Sequence, residues 1–152
     1  MSRIPDLTPA SMSEAQKAVV ELITSGPHQR VVGPYPAWLQ SPELAKRARS
    51  LSEYLRFQSA PSKRHAEIAI LITGRHWRAE YEFYAHAELA RKAGVEEHII
   101  QALAAGKCPE FPSADDQVVY DLCTEMLNTR RISDGGTIKR CVKERGGVTF
   151  RL

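Results

Sequence analysis

Two stretches of helical periodicity stand back to back in this chain, and each carries an ionisable residue where an apolar one would be expected. In residues 66–77, AEIAILITGRHW, Glu67 opens a nearly continuous apolar run from Ile68 to Ile72. In residues 80–93, EYEFYAHAELARKA, His86 falls on the stripe Ala79, Phe83, His86, Ala90, Ala93. Steps of three and four put that stripe on one face of a helix. Glu82 lies one turn before His86, so their side chains can touch. Burying a carboxylate and an imidazole in an apolar layer is costly unless they pair or do chemistry. A Glu–His pair held away from water is what proton-transfer enzymes use near neutral pH.

The same periodicity recurs along the chain, while hairpin pairs and βαβ alternation do not, so the expected fold is all-α. A first helix is predicted from about Ser11 or Ser13 to Thr24, with Met12, Ala15, Val19, Leu22 and Ile23 apolar. Ser13 with Gln16 has the spacing of a capping box, and Gly26-Pro27 stops the helix. Residues 27–41 read as a long irregular loop carrying Tyr35 and Trp38, the kind of loop that lines pockets. Ser41-Pro42-Glu43 then starts a helix reaching about Phe57. Further helices are expected over about 62–77, 80–93, ending at Gly94, and 96–105, ending at Gly106. Ser113 with Asp115 and Asp116 starts another to about Asn128, with Val118, Val119, Leu122 and Met126 inward, and Ser133-Asp134 opens a last one to about Glu144.

At 152 residues the chain suits one domain. Such a length can bury roughly 68–70% of the unfolded surface, enough for a core. Net charge is only +3, with Lys and Arg interspersed among Glu, which predicts solubility rather than nucleic-acid binding. No apolar run approaches the ~20 residues of a membrane span, and the N-terminal stretch lacks an apolar h-region, so the expectation is a cytoplasmic protein without membrane contact. Cys108, Cys123 and Cys141 are an odd set without C-x-x-C, which argues against a disulfide framework, a zinc site or a dithiol redox centre.

From Gly33 to about Glu144 the chain resembles the carboxymuconolactone decarboxylase family, the all-α group that includes alkylhydroperoxidase D. Four segments carry the likeness: GPYPAWLQSPELAKRARSLSEYLRF at 33–57, Glu67-Ile-Ala-Ile-Leu-Ile followed by RAEYEFYAH at 78–86, ARKAGV at 90–95, and RISD at 131–134. The signature is the Glu67-to-His86 separation with Tyr-Glu-aromatic between. The resemblance implies a single domain over residues 1–152, with its core at about 33–145, built as an alkylhydroperoxidase D-like helical bundle. It also implies a further apolar helix after residue 145, which this reading takes as missing because residues 146–152 are GGVTFRL. A homo-oligomer, a trimer or a hexamer, follows from the same likeness.

Carried over by position, Glu67 and His86 stand where the family has its proton-relay glutamate and histidine. The peroxidase branch places C-x-x-C at the positions of Ala79 and Glu82, and a histidine at that of Tyr81, so dithiol peroxidase chemistry is not expected here. The decarboxylase-like branch remains. Its reaction needs neither metal nor organic cofactor, because the conjugated carbonyl of a lactone accepts the electrons as CO₂ leaves. In this reading His86 is the general acid or base and Glu67 sets its protonation. Tyr81 donates to the oxyanion and Glu82 orients His86. The substrate is a small carboxylated or lactone molecule; isomerisation or hydrolysis of a lactone would use the same groups. The competing reading is a catalytically silent or ligand-binding member of the family. His28, His65 and His98 read as solvated, and His76 as packed near Trp77. Arg75 and Arg78 read as a solvated basic face. The basic segment at 133–145 lacks the preceding helix that DNA-reading helix pairs need.

Overall fold

The computed structural model describes residues 4, 5, 7–27 and 29–133, and every regular element among them is helical: seven α-helices and no strand. The helix expected from Ser133 lies outside the described residues, as do His28 and Cys141. The chain falls into two compact units, Met1–Ala60 and Pro61–Leu152.

In the first unit, α1 (Glu14–Ser25) opens on the expected capping box: the Ser13 hydroxyl accepts from the Gln16 amide, and the Gln16 side chain accepts from the Ser13 N–H at 2.8 Å. The Gln16 side-chain amide also donates to the Leu39 carbonyl at 3.0 Å, tying this cap to the following loop. That loop is less irregular than its prolines suggest. Pro36, in the first turn where its missing N–H costs nothing, supports the short helix α2 (Tyr35–Trp38). Tyr35 is buried, meets Trp38 edge to face at 5.4 Å, and has a hydrogen bond with Ser52. These two aromatics therefore serve a core with Val19, Ile23, Leu39 and Ala45, not a pocket wall. α3 (Pro42–Phe57) starts at Ser41-Pro42 as expected and packs on α1 and α2.

The second unit is organised around α4 (Lys63–His76), which packs on α5 (Glu80–Lys92), α6 (Glu97–Ala104) and α7 (Ala114–Thr129). Ser62 and Ser113 cap α4 and α7 through their hydroxyls. Gly94 at φ +82° and Gly106 at φ +70° take the left-handed conformation that ends α5 and α6 without a Cβ clash. Ile68, Leu71 and Ile72 of α4 meet Ala87, Ala90, Ile99, Ile100 and Leu103 in one core. Met126 of α7, expected inward, is 47% exposed: Val118 takes the buried position, and Val119, Cys123 and Leu127 line the core edge. The stripe therefore runs 119, 123, 127, one residue out of step with Leu122 and Met126.

Candidate functional site

α4 begins at Lys63, so Glu67 stands beyond the first turn, where the helix dipole no longer favours an acid. Its side chain is nine-tenths buried, flanked in sequence by Ile68 and facing α5. The α4–α5 connection is short, with Arg78 at φ +54° making the reversal and Gly74 lying against the Phe83 backbone. Counting back along both helices from that reversal brings Glu67 level with His86. Glu67 Oε2 and His86 Nδ1 are 2.6 Å apart, and both side chains are 10% exposed. Two costly buried groups thus satisfy each other, as their sequence positions demand.

The hydrogen bond also sets the imidazole's chemistry. With Glu67 ionised, the Nδ1–H donates to Oε2 and Nε2 is left with a lone pair. Nε2 lies 3.6 Å from Glu82 Oε2, longer than a hydrogen bond and an ion pair only when the ring is protonated. Glu82 itself is 45% exposed. The three groups form a line from the core to the surface, in the order Glu67, His86, Glu82. Tyr81, expected as an oxyanion donor, is 59% exposed and borders none of the hollows described below. The structure unites three of the four expected site residues and leaves Tyr81 outside.

Among the described residues, three hollows lie beside the pair. One, about 650 Å³, is lined by Phe83, Ala87, Ile100 and Ala104 together with the charged residues Arg75, Arg78, Arg91, Glu80, Glu88 and Glu97. Arg91 is spent on Glu88 at 2.6 Å and Glu97 at 2.7 Å, and Arg75 donates to the Ala104 carbonyl at 2.8 Å. A second hollow, about 310 Å³, follows the α4–α5 seam: Ala69, Ile70, Thr73, Gly74 and Trp77 on one side, Ala79 and Glu82 on the other. Glu82 is the member of the line that borders it. A third, about 130 Å³, lies between Ile72, His76, Leu103 and Tyr120.

A second polar cluster escaped the sequence reading. Asp116, fully buried, accepts from Arg64 Nε at 3.1 Å and Nη2 at 2.8 Å, and His65 Nε2 stands 3.4 Å from it. Arg64 also reaches Glu96 at 2.6 Å and the Gly94 carbonyl. These bonds hold the Arg64 guanidinium pKa above its ordinary value and pull the Glu96 carboxyl below its own. His65, expected to be solvated, is instead packed against Asp116. Asp116 sits three residues after the Ser113 cap and reads locally as a dipole acid; its partner lies 52 residues earlier. His98 meets the Glu110 carbonyl at 3.1 Å, and His76 lies edge to face with Trp77 at 5.0 Å.

Comparison of the chain with protein-family models, curated proteins and solved structures returned no match.

Proposed function

We propose that this chain is a cofactor-free acid–base enzyme of the carboxymuconolactone decarboxylase type, acting on a small carboxylated or lactone substrate. The observation that carries the reading is the Glu67–His86 pair, 2.6 Å apart and nine-tenths buried, with the second imidazole nitrogen turned toward the surface. Core packing alone is served better by two apolar residues of similar volume than by a buried ionisable pair. A proton relay requires this arrangement: Glu67 holds the tautomer, and Nε2 gives or takes the proton at the open end. The substrate's conjugated carbonyl is the electron sink, so the protein's part is to orient the ring, shed water and move a proton. The same reading includes a homo-oligomer, for which light scattering coupled to gel filtration should give a multiple of the 17.0 kDa chain mass.

A catalytically silent or ligand-binding member of that family is the second reading. It is favoured by a separate observation: among the described residues, the hollows of about 650, 310 and 130 Å³ are lined by neither Glu67 nor His86. Peroxidase chemistry is the least favoured, since Ala79 and Glu82 occupy the positions a dithiol would need.

The deciding experiment follows the loss of 4-carboxymuconolactone absorbance with wild type, His86→Ala and Glu67→Gln. Turnover by wild type and a fall of about 100-fold in both variants, the range of acid–base groups, is the expected result. A folded wild type that leaves this substrate untouched rules out the namesake reaction.

A further inference from the structure

α3 carries polar side chains inward and apolar ones outward. Its inward side presents Ala45, Arg49, Ser52 and Glu53, of which only Ala45 joins the apolar core. Arg49 and Glu53 pair at 2.6 Å, each less than one-fifth exposed, against Gly26 at the end of α1. Ser52 hydrogen-bonds Tyr35. The outward side presents Leu44, Leu51 and Leu55, which are 51%, 60% and 53% exposed. Ala48, half-buried, lies among them, and Tyr54 stands at their edge, 55% exposed. An amphipathic helix in water normally places these two sets the other way. About half of each leucine stays in water until another surface covers it.

The spacing of the stripe specifies that surface. Leu44, Ala48, Leu51 and Leu55 follow steps of four, three and four, the seam of a heptad repeat, which packs on a second helix. The stripe is also complementary to itself. Laid antiparallel about a two-fold axis between Ala48 and Leu51, it sets Leu44 against the partner's Leu55 and Ala48 against the partner's Leu51. Each small residue at the centre then meets a large one, as a filled seam requires. The same register brings Arg47, 78% exposed, beside the partner's Tyr54, an arginine–aromatic contact. A parallel pair would instead face Ala48 with Ala48, leaving a void, and would align the two helix dipoles.

We infer that two copies of this chain pair through α3, antiparallel, along the seam of Leu44, Ala48, Leu51 and Leu55. The inference rests on the homo-oligomer of the proposed function and names its contact; it is independent of the chemistry of Glu67 and His86. A two-fold contact admits a dimer or a hexamer and excludes an isolated trimer. One 16-residue helix on each side makes a small interface, below about 1,200 Å² in total, so the pairing depends on concentration.

Sedimentation velocity over about 1–100 μM, the range in which weak pairs dissociate, gives the first test. Wild type is expected at an even multiple of 17.0 kDa at the upper end, with the mass falling on dilution. Leu51→Glu sets a carboxylate against the partner's Ala48; it should halve that mass and leave the circular dichroism unchanged. The register is tested by mixing the single variants Ala48→Cys and Leu51→Cys and oxidising them. Peptide mapping should find position 48 of one copy joined to position 51 of the other. Cross-links of each variant with itself alone would mean a parallel pair and overturn the inference. A trimer, or any oligomer whose mass Leu51→Glu leaves intact, also overturns it, and the homo-oligomer then stands on another surface. A monomer throughout removes both, while the Glu67–His86 chemistry is still decided by its own assay.

Discussion

The imidazole of His86 has a carboxylate on either side, one buried and hydrogen-bonded, the other half-exposed and 3.6 Å away. That asymmetry separates stability from chemistry at single residues. Glu67→Ala strips the partner from a buried ring nitrogen and should cost about 1–3 kcal/mol. Glu67→Gln retains a hydrogen-bonding group of the same shape and should cost less, while still removing the acid–base function. Urea unfolding followed by circular dichroism measures the difference; equal losses for the two variants would mean that the hydrogen bond contributes little. Cysteine chemistry gives a second residue-level expectation. Burial pushes the Cys123 thiol up to about 11, whereas Cys108 is exposed. Since the thiolate is the nucleophile, iodoacetamide at about pH 8 should label Cys108 well before Cys123 in the folded protein. Peptide mass mapping reads the outcome directly, and comparable labelling of both would contradict the packing of Cys123 against the α4–α6 core.

At the scale of elements, the Arg64–Asp116 cluster joins the start of α4 to the start of α7 and, through Glu96 and the Gly94 carbonyl, to the α5–α6 connection. Asp116 is fully buried, and Arg64 supplies the hydrogen bonds to its carboxylate oxygens. Removing one member of such a pair leaves an uncompensated buried charge and costs about 3–5 kcal/mol. Arg64→Met is accordingly expected to destabilise the protein by that order, and Arg64→Met with Asp116→Leu to recover a large part of it. A double variant less stable than the single would show that the cluster supplies net stability as well as orientation. The capping serines at Ser62 and Ser113 are smaller contributors, each worth about 1 kcal/mol by the usual N-cap scale.

For the molecule as a whole, the pH response follows from Glu96 and Glu97. Hydrogen bonds from Arg64 hold the Glu96 carboxyl below its ordinary value of 4.5, and those from Arg91 do the same for Glu97. A carboxyl whose folded pKa is depressed stabilises the fold at every pH above its unfolded value, and that contribution disappears as pH falls through the folded one. Both groups are well exposed, so solvent screens each effect. The melting temperature should therefore drop from about pH 5 to about pH 3, and Glu96→Gln should flatten part of that drop. An unchanged slope in the variant would assign the acid sensitivity to other carboxyls. Leu44, Leu51, Tyr54, Leu55 and Phe57 also leave α3 with much exposed apolar surface.

The helices were legible because local chemistry decides them: apolar steps of three and four, serine caps, and glycines ready for positive φ. Glu67 and His86 stood out for the same reason, each interrupting an otherwise apolar face, and their spacing around the α4–α5 reversal is short enough for the sequence to bring them together. Pro36 concealed α2, because its prohibition applies to helix interiors and lapses in the first turn. What no local pattern could supply was Asp116 finding Arg64 across 52 residues, the exposure of Tyr81 beside the half-buried Glu82, and the hollow that Glu82 borders along the α4–α5 seam. Those depend on how whole helices pack, and packing is set by the summed shape of many side chains. The sequence by itself determined that a carboxylate and an imidazole would share the interior; the tertiary structure decided that Glu82, between them and the solvent, borders a hollow of the α4–α5 seam, because that depends on how the two helices pack.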